Sequence, residues 1–315
     1  MSLFDTFRER PLIPGQDPWV VAHDGWLLLV QSAAGDRKIV IKRFRDLERM
    51  DRAEEKVIWA PRASAPGNHA RQLWAPELHH LDGRWYVYYS ASNGRSANHR
   101  VYALVADDPL GPYREVGRVA DPSHDVWAID LTVFTHEGRL YSVWSGWDGP
   151  DDGFPQNLYI APMSDPTTIS GERRGISRPQ HDWEIGVAPI NEGPEVIRNP
   201  STGQLFILYA ADASWTQAYK TGLLEWTGGD VLDPTSWRKW PRPFFTGGGH
   251  ASVVDTPAGP YFIYHRKLSG DPGWADREIR WAPLGWDDEG RPVVHRAPMA
   301  AHTRVELQQG MGQVA

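Results

Sequence analysis

The chain has 315 residues, a formal net charge of −7, 16 tryptophans and no cysteine. The lack of cysteine excludes a disulfide framework and a thiolate metal site, and charges of both signs are interspersed without a basic stripe, so we expect no nucleic-acid partner. No stretch approaches the roughly 18 consecutive apolar residues of a membrane-spanning helix, so we expect no membrane association.

The chain opens with a polar segment, MSLFDTFRERPLIPGQ, which lacks the apolar run of a signal peptide. This favours a cytoplasmic location, and the alternative is a secreted protein whose signal has been removed. A charged segment, RDLERMDRAEEK from Arg45, is interpreted as a solvated helical turn or loop between repeats. The polar, glycine-containing tail after Val305 is predicted to be disordered.

Between these segments, one pattern recurs five times, and its turn glycines are about 55 to 65 residues apart. A glycine-bearing turn precedes an aromatic-rich, β-branched run, as expected for a β-hairpin. The five copies are DGWLLLVQSA from Asp24, DGRWYVYYSAS from Asp82, EGRLYSVWSGW from Glu137, GQLFILYAADA from Gly203 and AGPYFIYHRKL from Ala258.

Each copy has one strand-like run before the turn and another after the hairpin, and several copies continue through Asp-Pro or Gly-Pro turns into a fourth run. A repeat of this kind is typical of a propeller blade. The sequence therefore predicts an all-β protein, a five-bladed β-propeller with four-stranded antiparallel blades around a central channel. Because no linker divides the chain, residues 1–315 are predicted to form a single domain.

A polar residue opens the first run of each repeat, and first strands line the central channel of a propeller. We therefore expect five side chains to meet at one end of the channel: Asp17, Glu77, Asp130, Glu192 and His250. Carboxylates held together in a confined site perturb one another's pKa values, which is common in catalytic sites. The alternative is that each acid caps a turn or pairs with an arginine. Two carboxylates in different protonation states are what hydrolysis of a glycosidic bond requires.

These motifs resemble glycoside hydrolase family 43, and the resemblance extends from Gln16 to about Arg280. It is carried by QDPWV, WAPELHHLDGRWYVYYSAS, WAIDLTVF and NEGPEVI, in this order and at blade spacing. The resemblance implies that Asp17 is the general base, Glu192 the general acid, and Asp130 the residue that raises the pKa of the acid and orients it. It also implies inversion at the anomeric carbon, with the base and acid carboxyls about 6.5–9.5 Å apart.

Further site residues are expected on the same grounds. Trp74 and Trp127 precede axial acids and offer faces for a sugar ring. Trp147 is predicted to line the upper opening of the channel. Core packing is the alternative for each of the three. Glu77 is expected to support the site through hydrogen bonds. Gln156 and Asn157 are candidates for orienting sugar hydroxyls, and the alternative is that they form hydrogen bonds within a turn. Arg277 is a candidate for contacting the substrate or the acid, and the alternative is that it lies on the surface.

His250, in GGGHAS, matches the histidine that in many relatives binds a central calcium ion, largely through water. The alternative is a satisfied histidine in the channel, since calcium prefers oxygen ligands. No cofactor is expected to be required for the chemistry itself.

Within the family, the stretches NHRVYALVADDPLGPY, QNLYIAPMSDPTTISG and NEGPEVI resemble exo-acting α-1,5-L-arabinofuranosidases. The expected reaction is removal of terminal α-L-arabinofuranosyl residues from arabinan or its oligosaccharides, which are plant cell-wall carbohydrates. The alternatives are a β-xylosidase or bifunctional enzyme, a non-catalytic carbohydrate-binding propeller, and a protein scaffold, although WD and kelch signatures are lacking.

Overall fold

A computed structural model describes residues 13–33, 35–61, 69–150 and 153–295. The tail after Val305, for which disorder was predicted, lies outside the described residues. None of the helices in the described ranges is long and apolar enough to cross a membrane.

The described chain forms five antiparallel sheets. After β1 (Ile13–Pro14), blade 1 contains β2 (Trp19–His23), β3 (Trp26–Ala33), β4 (Lys38–Phe44) and β5 (Glu54–Trp59). Blade 2 contains β6 (Arg71–Leu81), β7 (Arg84–Ser92), β8 (Arg100–Ala106) and β9 (Arg114–Val119). Blade 3 contains β10 (Ala128–His136), β11 (Arg139–Gly146), β12 (Asn157–Asp165), β13 (Thr168–Ile169) and β14 (Arg174–Ser177).

Blade 4 contains β15 (Asn191–Arg198), β16 (Leu205–Ala211), β17 (Lys220–Trp226) and β18 (Trp237–Lys239). Blade 5 contains β19 (Gly249–Thr256), β20 (Gly259–Lys267), β21 (Arg277–Trp286) and β22 (Pro292–Val294). The first strand of each blade lies innermost, and the predicted five-bladed propeller is confirmed.

The ring is closed inside blade 5 by the two ends of the described chain. β21 pairs with β20 on one side, and its other edge is shared by β22 and by β1. In the register of this pair, Ile13 lies opposite Ile279, and Gly15 N–H donates to the carbonyl of Arg277 at 2.9 Å. The first strand of the chain is therefore part of the last blade.

The predicted hairpin turns form because their residues tolerate left-handed backbone. Asp24 and Gly25 have φ values of 46° and 72°, and Asp82 and Gly83 have φ values of 50° and 75°. Two consecutive positive φ angles are those of a type I′ turn, whose twist matches the flanking strands. These turns define the lower end of each blade, and the first strands therefore begin at the opposite, upper end.

The core consists of apolar layers between neighbouring blades. One buried cluster lies at each of the five junctions, and the cluster between blades 1 and 2 packs Leu28, Val30 and Ile41 against Val87 and Leu104. Since middle strands such as β3 are covered on both faces, they are almost continuously apolar in sequence. This packing holds the blades rigidly around the channel.

Helical structure in the described ranges is limited to short 3-10 turns: Leu47–Arg52, Ser96–Asn98, Asp182–Glu184 and Pro234–Ser236. The expectation for the segment from Arg45 was wrong in two respects. Its turn lies within blade 1, between β4 and β5, and Leu47 and Met50 are buried in the junction with blade 5. The charged residues that follow form the edge strand β5.

Candidate functional site

A left-handed residue occurs at the upper end of the inner strand in every blade. These residues are Asp17, Ala75, Asp130, Gly193 and His250, with φ values of 47°, 42°, 56°, 52° and 49°. In four of the blades the strand pairing shifts register at this point. Such bulges re-aim side chains, and they are common next to active sites. The repeated bulge turns the side chains at the upper end toward the channel.

The bulges correct the alignment expected for two of the five axial residues. In blade 2 the position of Asp17 and Asp130 is taken by Ala75, and Glu77 lies two residues further along, well inside β6. In blade 4 the equivalent residue is Gly193, so Glu192 precedes the bulge. The error arose because a one-residue bulge leaves no mark in the pattern of polar residues.

Asp17 lies between two histidines of blade 5. Its Oδ1 is 3.3 Å from His250 Nδ1 and 3.4 Å from His265 Nδ1, and its backbone N–H donates to His265 Nδ1 at 3.0 Å. His265 is therefore a hydrogen-bond acceptor at Nδ1 and neutral, in agreement with the burial that lowers its pKa to about 3. The ring thereby satisfies the backbone N–H of the left-handed residue Asp17.

Glu192 is 7 % exposed and receives a hydrogen bond from the hydroxyl of Tyr219 at Oε1, at 2.8 Å. The following residue, Gly193, donates its N–H to Asp130 Oδ2 at 3.1 Å. Gly193 has no tolerance for a side chain, since a Cβ atom there would lie 2.8 Å from the His250 ring. Asp130 thus fixes the backbone at Glu192, and Tyr219 fixes the Glu192 carboxyl.

Asp130 Oδ2 lies 3.9 Å from His250 Nδ1, and the backbone N–H of Asp130 donates to Ser90 Oγ at 3.0 Å. His250 therefore approaches Asp17 and Asp130 from one ring nitrogen. The structure brings Asp17, Asp130, Glu192 and His250 together at the upper end of the channel, as expected from the sequence. Glu77 lies deeper.

The three upper carboxyls, Asp17, Asp130 and Glu192, have different pKa values. Burial raises the pKa of Glu192 to about 7, with a further increase from the charge of Asp17. Burial, followed by repulsion from Glu192 and Asp17, raises the pKa of Asp130 well above its usual range. Two such neighbouring acids titrate as a pair, and together they retain a proton near neutral pH.

Asp17 behaves in the opposite way. Burial alone would raise its pKa, but the electrostatic influence of His250, His265 and Arg277 outweighs burial, and the net effect lowers its pKa. Because burial also lowers the pKa values of both histidines, Arg277 is the permanent positive charge of the group. Asp17 is therefore ionised under conditions in which Glu192 still binds a proton.

A second pair of carboxyls, Glu77 and Glu195, lies below the three upper carboxyls, and each is two residues after the left-handed residue of its strand. Glu77 is 2 % exposed, with its Oε2 2.9 Å from His79 Nε2, and burial followed by repulsion from Glu195 raises its pKa well above its usual range. Glu77 therefore has no surface for a substrate, which contradicts direct substrate contact, and its role in supporting the site stays a prediction.

The tryptophans predicted to contact sugar differ in exposure. Trp74 is half-buried, donates from Nε1 to Asp36 Oδ2 at 3.2 Å, and stacks on His99 with ring centroids 3.7 Å apart. Trp127 is only 3 % exposed and stacks on Trp147 at 4.7 Å. Trp127 is thus a support beneath Trp147 and not a sugar platform, because its faces are covered.

Two buried polar atoms in the upper loop of blade 3 have no hydrogen-bond partner among the described residues. They are Trp147 Nε1 and Gln156 Oε1, on side chains that are each 8 % exposed. Asn157 is fully buried and donates from Nδ2 to the Tyr159 hydroxyl at 3.4 Å, while its Oδ1 also has no partner among the described residues. Arg277 donates from Nε to the Trp274 carbonyl at 3.1 Å, and its charge lowers the pKa values of both Asp17 and Glu192.

Three residues that contact or influence this group were not predicted from the sequence. Tyr219 lies in the upper loop of blade 4, and His265 lies in β20, which the sequence analysis identifies only as a hairpin strand. Asp36 lies in the upper loop of blade 1, and its pKa is raised by burial and then by the charge of Asp17. The one available signal was position, since each lies at or beyond the upper end of a second strand.

The side chains around His250 do not fit a calcium ion bound directly by the protein. No group of three or more His, Asp or Glu side chains in the described ranges is arranged to hold a metal ion. Calcium takes six to eight oxygen ligands, whereas His250 Nδ1 faces Asp17. A water-mediated ion near His250 stays a prediction.

Comparison with known proteins gives consistent matches. A family model described as "Glycosyl hydrolases family 43" matches residues 9–292. The alpha-L-arabinofuranosidase 43 of Humicola insolens is 34 % identical over 298 residues, which cover 88 % of this chain and 60 % of that protein. The chain thus spans less than two thirds of the length of this relative.

Two further relatives match over most of their length. The extracellular exo-alpha-(1->5)-L-arabinofuranosidase of Streptomyces chartreusis is 32 % identical, and the match covers 84 % of this chain and 85 % of that protein. The crystal structure of an alpha-L-arabinofuranosidase from Lactobacillus brevis superimposes with a TM-score of 0.83 at 31 % identity, covering 90 % of this chain and 94 % of the other.

Proposed function

The chain belongs to glycosyl hydrolase family 43, and from this premise we propose that it is an inverting glycosidase that removes terminal α-L-arabinofuranosyl residues from arabinan or arabino-oligosaccharides. The observation that carries the proposal is the opposite perturbation of two neighbouring carboxyls. The pKa of Asp17 is lowered and that of Glu192 is raised to about 7. A base and an acid that coexist near neutral pH are what glycosidic hydrolysis needs.

Asp17 is the general base in this proposal. It stays ionised because Arg277 supplies a permanent positive charge and His250 Nδ1 lies 3.3 Å from its Oδ1. An ionised carboxylate can remove a proton from a water molecule as that water attacks the anomeric carbon. His265 accepts the backbone N–H of Asp17 and so fixes the position of the base.

Glu192 is the general acid. Tyr219 occupies its Oε1, which leaves Oε2 to carry the proton that is delivered to the leaving oxygen. Proton transfer of this kind contributes about 10²- to 10⁴-fold to rate. Inversion requires room for water between base and acid, so we expect their carboxyls to be about 6.5–9.5 Å apart.

Asp130 acts through Glu192. Its carboxyl and that of Glu192 disfavour joint ionisation, and its Oδ2 accepts the N–H of Gly193, which holds the backbone next to Glu192. Because the acid and this neighbour repel each other when both are ionised, one proton stays on the pair until the pH rises above neutrality.

The sugar is proposed from the relatives, and the upper loop of blade 3 supplies polar groups for it. Trp147 Nε1 and Gln156 Oε1 are buried without a partner among the described residues, and an unsatisfied buried polar atom costs about 1–3 kcal/mol. Because both atoms are buried, a sugar hydroxyl that bonds to either atom recovers this cost only when the loop of blade 3 opens around the ligand. The half-buried ring of Trp74 packs beside Trp147.

A substrate panel tests the proposal. The purified protein is given 4-nitrophenyl α-L-arabinofuranoside, 4-nitrophenyl β-D-xyloside and linear α-1,5-arabinan, and the products from arabinan are separated by size. Arabinose as the sole product from arabinan is the expected result. Release of xylose without arabinose would establish the xylosidase alternative, and binding of arabinan without any release would establish a carbohydrate-binding propeller.

We also propose that the chain acts as one catalytic domain and that any calcium ion near His250 is bound through water. Titration of calcium into chelator-treated protein, followed by thermal unfolding, tests the ion. A calcium-dependent increase in Tm that is lost in His250→Ala supports it, and an unchanged Tm contradicts it.

A further inference from the structure

Two indole rings stack on each other at the upper end, between blades 4 and 5. The ring centroids of Trp215 and Trp274 are 4.9 Å apart, and their planes are 10° from parallel. Trp274 is 52 % exposed, which is unusual for a residue that normally buries most of its surface. Trp215 packs beneath it against Ala188, Ile190 and Ala213. The pair is therefore a supported aromatic face that is open to solvent.

Hydrogen bonds hold the two loops that carry these rings. Gly273 N–H donates to the Trp215 carbonyl at 2.9 Å, and Gln217 Nε2 donates to the Leu268 carbonyl at 2.8 Å. Arg277 Nε donates to the Trp274 carbonyl at 3.1 Å. An exposed ring that is fixed in this way loses little conformational freedom when it binds a ligand.

The same two loops reach the proposed acid. The loop with Trp215 ends at Tyr219, which donates to Glu192. The loop with Trp274 ends at Arg277, whose charge lowers the pKa values of Glu192 and Asp17. Because the acid protonates the leaving oxygen, the leaving part of the substrate must lie on the Glu192 side of the site, which is the side of blade 4 and its upper loop.

We propose that Trp215 and Trp274 form a platform for arabinofuranosyl units on the leaving side, beyond the unit that is bonded to the cleaved residue. This inference rests on the proposed function and extends it. A flat, exposed indole suits the apolar C–H face of a sugar ring. The platform makes the protein select for oligosaccharides over short arabinosides.

Binding to a non-hydrolysing parent variant tests the platform directly. Glu192→Gln is titrated with arabinotetraose by calorimetry, and the same titration is made with Trp274→Ala added. We expect the Kd to rise about tenfold, because truncation of a central tryptophan costs more than 1 kcal/mol at many interfaces. Trp274→Phe, which keeps a flat ring, should recover most of the affinity.

Trp26→Ala in the same parent variant is the matched control. Trp26 is a half-buried ring at the lower end, and the guanidinium carbons of Arg43 and Arg45 lie 4.5 and 4.1 Å from its ring centroid. Its removal should leave the Kd unchanged. An unchanged Kd in Trp274→Ala, with Tm values that show a folded protein, would overturn the platform.

Kinetics separate this result from a failure of the proposed function. In the otherwise native protein, the ratio of kcat/KM for arabinotetraose to that for arabinobiose should fall about tenfold in Trp274→Ala. An unchanged ratio would contradict the platform alone. If the native protein releases no arabinose from either sugar, the proposed function fails and the platform fails with it.

Discussion

The hydrogen bond between Tyr219 and Glu192 gives a quantitative prediction for Tyr219→Phe. The tyrosine hydroxyl donates to Glu192 Oε1 at 2.8 Å, and this bond favours the ionised acid. A hydrogen bond to a charged group contributes about 1.5–3 kcal/mol, and about 1.4 kcal/mol corresponds to a pKa change of 1. Loss of the hydroxyl should therefore raise the pKa of Glu192 from about 7 by about 1 to 2.

The sign of the effect on activity follows from the role of the acid. Glu192 must be protonated to act, so activity is lost as the pH rises through its pKa. In Tyr219→Phe the alkaline limb of the pH profile should move to higher pH by at least about one unit. The assay is kcat/KM for arabinose release from arabinobiose between pH 4 and 10, since this parameter reports the free protein.

Tyr209→Phe is the matched control. Tyr209 is also buried, and its hydroxyl donates to the buried Glu184 at 2.9 Å, away from the three upper carboxyls. This variant should lose stability and keep its alkaline limb in place. An alkaline limb that stays in place or moves to lower pH in Tyr219→Phe would refute the reasoning.

Four further outcomes are expected. Glu192→Gln should lower kcat on arabinobiose by about 10²–10⁴ but much less on nitrophenyl arabinofuranoside, whose leaving group needs no proton; equal losses would contradict the acid role. Asp17→Asn should lower kcat by the same factor on both substrates, and rescue by nitrophenyl would argue against a base. Proton NMR should show the β-anomer of arabinose first, and the α-anomer would indicate retention. The pKa of Glu192 rises from 4.5 to about 7 on folding, so the native state binds more protons in that range and stability falls as pH rises. Glu192→Gln should thus stabilise the protein by roughly 3 kcal/mol at pH 8 and hardly at all at pH 4, as measured by unfolding.

The architecture was predictable because its signals are local and repeated. Asp24 with Gly25 and Asp82 with Gly83 adopt the positive φ angles of hairpin turns wherever they stand between apolar runs. Asp17, Asp130 and Glu192 were placed together correctly because they recur near the start of the inner runs.

The finer arrangement of the site depends on contacts that are remote in sequence. Glu77 was assigned to the upper ring, but the bulge at Ala75 moves it to the level below. Tyr219 lies 27 residues from Glu192, and His265 lies 248 residues from Asp17. The contact between His265 and Asp17 forms only when blades 5 and 1 pack, and that between Tyr219 and Glu192 only when the upper loop of blade 4 folds back onto its inner strand. A local sequence pattern therefore predicts neither contact.

The closure of the ring ties catalytic competence to the integrity of one short strand. β1 joins blade 5 through Ile13 and Pro14, and Asp17 follows only three residues later, held by His265 of that same blade. Separation of β1 from β21 would withdraw the base from the acid while the other four blades stayed folded. Loss of activity on heating or in denaturant should thus precede loss of the circular-dichroism signal of β-sheet. Activity therefore reports whether the propeller ring is closed.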